Sequence, residues 1–163
     1  YIYEEALRQS YVTSTSFIAF KRKLFEEVGC WDESLPASQD DDMCFRFAKK
    51  YKIGLIKEIL GVYGIDGGNQ IGSSSLRVAK GWWLLWNKYE KDILNLCGKD
   101  VIVDHYKDTF KRFLCTKDSE YLELNKKKLL EFISPKEFND FYNQCTIKDG
   151  CLKKILKKIL HLK

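Results

Sequence analysis

The chain has 163 residues, 45% apolar and 31% charged, with 2 prolines and 10 glycines; this composition excludes disordered, collagen-like and low-complexity classes and fits one globular domain. The net charge of +5 sits at one end: Cys151 to Lys163 holds five lysines and no acid, while the remainder carries 23 basic and 23 acidic side chains. A neutral body of this kind excludes a nucleic-acid docking face, which needs basic residues spread widely enough to neutralise several phosphates together.

Residues 11–20, Tyr-Val-Thr-Ser-Thr-Ser-Phe-Ile-Ala-Phe, are β-branched and aromatic and predict a strand. Lys21 to Val28 predicts a short helix with Leu24, Phe25 and Val28 on one face and Gly29 as its stop. Cys30 to Ser38, with Asp32, Ser34 and Pro36, predicts a loop. Ser38 then suits an N-cap with Asp41 as its capping-box partner, opening a helix that runs to about Tyr51. Lys52 to Leu60 alternates around Ile53, Leu55, Ile56 and Ile59 and predicts a second strand.

Gly61 to Ser75 contains five of the ten glycines and predicts a mobile loop. From there the period becomes helical, over 75–97, 100–115, 118–133 and 135–145, broken at Gly98-Lys99 and Ser134-Pro135. Two strands make too small a sheet to stand alone, and the chain opens on Tyr1 with Met43 as its one methionine. Further strands are therefore expected upstream.

Cys30, Cys44, Cys97, Cys115, Cys145 and Cys151 include no C-x-x-C pair and no zinc-type spacing with His105 or His161. They read as reduced thiols of a cytoplasmic protein. No run approaches the 18 to 20 apolar residues of a membrane-spanning helix.

Asp40, Asp41 and Asp42 open the helix that carries Arg46. Carboxylates in a first helical turn are favoured by the macrodipole, which needs no function. A carboxylate held beside a glycine-rich loop also suits a general base or a cation ligand.

The stretch from Ser14 to Ala48 resembles the acceptor-side half of the inverting family-two glycosyltransferases with the GT-A fold. The resemblance rests on Phe25, Val28, Gly29, Trp31, Asp32 and Glu33, followed by Gln39, Asp40, Asp42 and Arg46, and covers residues 10–75. It implies an α/β fold, α+β within this fragment, with a partial GT-A nucleotide-diphospho-sugar transferase fold over 1–75; the apolar spacing and the lysines beyond it add a helical extension over 76–150 and a basic tail helix over 151–163. It also implies Asp40 as the base that deprotonates an acceptor hydroxyl, with Gln39, Asp41 and Trp31 at the acceptor. Asp42 and Arg46, one turn apart, read instead as a structural ion pair.

In this family the loop after the second strand often carries tyrosine-arginine-x-histidine and helps to hold the diphosphate. Here it reads Tyr63-Gly64-Ile65-Asp66-Gly67-Gly68-Asn69, without those basic residues. Tyr63, Asp66, Asn69, Ser73 and Arg77 are its phosphate candidates. The family's D-x-D metal motif lies in an N-terminal half, expected upstream of Tyr1, so the Mn²⁺ or Mg²⁺ of the full enzyme would take ligands mostly from there and none is assigned here.

The implied partners are a nucleotide-sugar donor and a sugar or lipid-linked acceptor, in polysaccharide, lipopolysaccharide or glycoconjugate synthesis, with a homo-oligomer also expected. Trp82, Trp86 and Tyr89 share one helical face that suits core, sugar stacking or a membrane interface. The tail sets Leu152, Ile155, Leu156, Ile159 and Leu160 against four lysines, as a helix lying on an anionic inner leaflet or docked on its own domain would. The competing reading from another class is a non-catalytic helical module that binds a partner or a membrane surface and keeps a remnant of the fold.

Overall fold

The computed structural model describes residues 2–10, 14–62, 75–116 and 118–148, with side chains through 145. Its α-helices are α1 (Tyr3–Arg8), α2 (Phe25–Val28), α3 (Gln39–Lys50), α4 (Ser75–Leu96), α5 (Lys99–Thr116), α6 (Ser119–Leu130) and α7 (Pro135–Lys148). Two short 3₁₀ turns, Thr15–Phe17 and Arg22–Leu24, complete the regular structure.

The expected α/β, partial GT-A architecture is overturned: the described residues hold no strand and no sheet. Of the first predicted strand, 11–13 lie outside the described residues, 15–17 close a 3₁₀ turn, Ile18 is extended, and 18–20 form no strand. Residues 52–62 likewise lack any strand pairing and leave Leu55 84%, Ile59 94% and Val62 94% exposed. The pattern of β-formers is there, but a strand exists only where a second backbone supplies the ladder, and no described segment does.

The helical expectations fare better because each signal is local. Gly29 ends α2 at φ 81°, and Gly98 closes α4 at φ 94°, its N–H reaching the Ile93 carbonyl at 3.0 Å. Asp118 caps α6 by accepting from the Tyr121 N–H at 3.1 Å. Ser134 and Glu137 form a reciprocal capping box around Pro135, with N···O distances of 2.8 and 3.2 Å. The capping box expected at Ser38 does not form. Ser38 adopts a left-handed conformation, φ 63° and ψ 25°, and its side chain makes no cap hydrogen bond.

Helix α4 is the spine. It packs on α5, which packs on α6, which meets α7; α1 lies against both α3 and α4. One apolar core runs from Leu7, Leu35 and Phe45 through Trp83, Leu85, Trp86 and Ile93 to Tyr106, Phe113, Leu129 and Phe138. Ion pairs pin the layers at the surface. Asp92 of α4 takes Lys49 of α3 at 2.6 Å and the Tyr3 hydroxyl of α1. Glu90 of α4 takes the Tyr106 hydroxyl of α5 at 2.5 Å and Lys128 of α6 at 3.0 Å.

The tryptophan face of α4 is core. Trp83, Trp86 and Tyr89 are buried, and Trp82 stacks on Trp86 with centroids 4.9 Å apart. On its other side Trp86 lies parallel to His105 at 3.8 Å. The His105 Nε2 sits 2.8 Å from the Leu7 carbonyl; a carbonyl can only accept, so Nε2 carries the proton. No helix of the described residues is long and apolar enough to cross a membrane. The tail at 151–163 lies outside them.

Candidate functional site

Three consecutive aspartates open α3, and at about 100° per residue a helix sends them in three directions. Each meets a different environment.

Asp42 points inward and is fully buried. One carboxylate oxygen accepts from Arg46 Nε at 2.9 Å. The other lies 2.6 Å from Lys88 Nζ and accepts from the Tyr89 hydroxyl at 2.9 Å. A buried carboxylate is tolerated when its lone pairs are satisfied by cations and hydroxyls, and here both oxygens are. Burial and the neighbouring Asp42 push the Tyr89 phenol well above its ordinary range, so it stays a donor.

The expected pair of Asp42 and Arg46 therefore forms, and it does more than close one helical turn. The Arg46 guanidinium also donates to the carbonyls of Val28 at 2.5 Å, Gly29 at 3.2 Å and Cys30 at 2.8 Å. The loop after α2 is thereby hung on α3. Lys88 adds a second tie, 2.6 Å from Asp32, whose carboxylate also accepts from the Ser34 N–H and hydroxyl. Hydrogen bonds from Lys88 and Ser34 hold Asp32 down at about 2. Burial works against the Lys88 charge, but Asp32 and Asp42 overcome it and raise its pKa.

Asp41 is also buried, at 4% exposure, yet among the described residues no cation faces it. Its partners are the hydroxyls of Ser10, beyond α1, and Ser38. Desolvation, with a smaller contribution from Asp40, pushes its carboxyl up to about 7. The same burial, with Asp41 and Asp40 nearby, lifts the Cys44 thiol to about 12.

Asp40 faces outward and is half-buried. One oxygen accepts from the Thr15 hydroxyl at 3.2 Å, the other from the Asp41 N–H at 3.1 Å. It is the carboxylate of the three that an external hydroxyl can reach.

The other expected site residues divide. Gln39 stands beside Asp40, but its amide donates to the Leu35 carbonyl at 2.7 Å. Trp31 is 38% exposed and meets Phe20 edge-on at 6.1 Å, at the rim of an aromatic cluster with Phe25 and Phe47. Arg77 donates through Nε to the Pro36 carbonyl at 2.7 Å. Tyr63, Asp66, Asn69 and Ser73 lie outside the described residues.

Among the described residues no three His, Cys, Asp or Glu side chains gather as a metal-holding group. Sequence reasoning missed Lys88, Ser10 and Thr15. Lys88 lies 56 residues from Asp32, and no local spacing signals a contact at that range.

No protein-family model, curated protein or solved structure matches this chain.

Proposed function

We propose that this chain carries the acceptor-side part of a nucleotide-sugar-dependent glycosyltransferase, with Asp40 as the general base. The acceptor hydroxyl would attack the anomeric carbon, forming a C–O bond as the bond from that carbon to the diphosphate breaks. Asp40 would take the hydroxyl proton and the nucleoside diphosphate would leave with the electron pair. A sugar hydroxyl is a weak nucleophile, and a positioned carboxylate contributes roughly 10² to 10⁴ in rate.

The observation that carries this reading is the division of labour at the start of α3. Asp42 is neutralised inside by Lys88 and Arg46, Asp41 is buried among hydroxyls, and Asp40 is left facing solvent with Thr15 as its hydroxyl donor. Two of the acids hold the turn and the third remains for chemistry. Handling of the diphosphate and of a divalent cation is assigned to groups beyond the described residues.

The test is sugar transfer by the full-length protein against a panel of nucleotide sugars with Mn²⁺ or Mg²⁺. Asp40→Asn should remove transfer while leaving the thermal midpoint in place. An unchanged rate in that variant sinks the assignment. The competing reading, a non-catalytic interaction module, draws on the exposed apolar side chains between Ile53 and Val62; it predicts no transfer with any donor.

A further inference from the structure

The loop that delivers Asp40 is held along its length by one face of α4. Arg77 fastens the Pro36 carbonyl at 2.7 Å. One turn later Gly81 lies directly against Ala37: a Cβ on Gly81 would stand 2.6 Å from the Ala37 carbonyl oxygen and 2.8 Å from its Cβ. Backbone cannot yield at that distance as a flexible side chain would, so glycine alone fits. Two turns further, Lys88 bridges Asp32 and Asp42 at 2.6 Å each.

The residue between Ala37 and α3 is Ser38, the one non-glycine residue with positive φ among those described. A left-handed serine persists only where its surroundings over-determine it, and such residues cluster at working sites. Here the surroundings are α4, itself seated in the core through Ala79, Leu85 and Ile93. The turn at Ser38 sets where α3 begins, and therefore where its first two side chains, Gln39 and Asp40, point.

We propose that Gly81 and Lys88 are positioning residues: through the Ala37–Ser38 turn and the Asp32–Lys88–Asp42 bridge, α4 sets the direction in which Asp40 faces. Its bearing on catalysis rests on the reading of Asp40 as the base, while the geometry stands apart from that reading.

The test needs no substrate. Side-chain carboxyl ¹³C signals of the aspartates are followed by NMR across pH in the intact chain. In the wild type the Asp41 midpoint is expected at about 7, where burial beside Ser10, Ser38, Asp40 and Cys44 pushes it. In Gly81→Ala the Ala37 backbone is displaced, the Ser38 turn relaxes and the Asp41 midpoint falls toward the ordinary carboxylate value of about 4. At fixed pH the Asp40 carboxyl chemical shift changes as well, because its contacts with the Thr15 hydroxyl and the Asp41 N–H are disturbed, and the amides of α6 and α7 stay in place.

Ser38→Gly in the same chain lets the turn persist without the clamp and returns the Asp40 signal toward wild type; Asp41, which loses the Ser38 hydroxyl in that variant, is not its readout. Lys88→Gln, which leaves the Gly81 contact intact, displaces the Asp40 signal, and Lys88→Arg restores it. Wild-type carboxyl signals in both Gly81→Ala and Lys88→Gln overturn the proposal. If the signals respond while Asp40→Asn leaves transfer unchanged, α4 positions the turn but Asp40 is not the base.

Discussion

The ammonium of Lys88 lies 2.6 Å from a carboxylate oxygen of Asp42, joining the middle of α4 to the first turn of α3 across 46 residues of sequence. Asp42 is wholly buried while Lys88 keeps 37% of its side chain exposed, so the two ends of the bond respond differently to mutation. Asp42→Ala strips Arg46, Lys88 and Tyr89 of their shared acceptor and is expected to cost on the order of 3 to 5 kcal/mol. Lys88→Met leaves Arg46 and Tyr89 on Asp42 and removes a side chain that is itself partly exposed, and should cost less, about 1 to 2 kcal/mol. Urea unfolding of the two variants gives the order directly, and equal losses would contradict it.

Arg46 cannot be exchanged for lysine. Its planar fork serves Asp42 and three backbone carbonyls together, and an ammonium has neither the spread nor the number of donors. Arg46→Lys should therefore loosen the loop at 28–30 as well as the ion pair. The expected signature is faster amide exchange at Cys30 and Trp31 with α5 and α6 unaffected, and a lowered thermal midpoint.

Stability should bend with pH in two opposed ways. Asp41 has its folded pKa raised to about 7, far above its unfolded value. The folded state thus holds a proton that the unfolded state has released, and stability falls as pH rises from about 4 to 7, by on the order of 4 kcal/mol. His105 runs the other way. Burial between Trp86 and α1 lowers its folded pKa against the opposing pull of Leu7, Asp104 and Asp108, so its stabilisation is full above the unfolded value of about 6.5 and is lost as pH falls below it.

Asp41→Asn isolates these slopes. The variant should be more stable than the wild type at pH 8, keep the loss on the acid side of pH 6.5, and lack the fall that Asp41 gives the wild type as pH rises from about 4 to 7. Thermal midpoints at half-unit intervals decide it. A wild-type slope retained in Asp41→Asn would assign the titration elsewhere.

The three aspartates should separate in a transfer assay with the full-length protein. Asp40→Asn is expected to lose roughly 10² to 10⁴ in kcat with an unchanged fold. Asp41→Asn keeps most of its activity, because a neutral side chain already suits that site near pH 7. Asp42→Asn loses activity together with stability. A pattern in which Asp41 dominates would move the base by one residue.

What was legible from sequence is what neighbouring residues decide among themselves. The bounds of α3 to α7 follow from apolar spacing and from the break at Gly98, the end of α2 follows from Gly29, and the Asp42–Arg46 pair follows from a separation of one helical turn. Helix bonds close within four residues, so a linear reading contains both partners. The helix α1 escaped notice because six residues carry too little pattern, and its burial comes from α3 and α4 rather than from its own propensity.

Tertiary structure decided the rest. Residues 18–20 and 52–62 have the side chains of strands yet form none here, since β-structure depends on a partner backbone that local sequence cannot supply. The same holds at the site. Sequence placed three aspartates in one helical turn; only packing made them unequal, by setting Lys88 against Asp42, Ser10 against Asp41 and Thr15 against Asp40. Burial and charge partners, not residue type, determine which carboxylate braces the fold, which holds a proton and which faces the solvent.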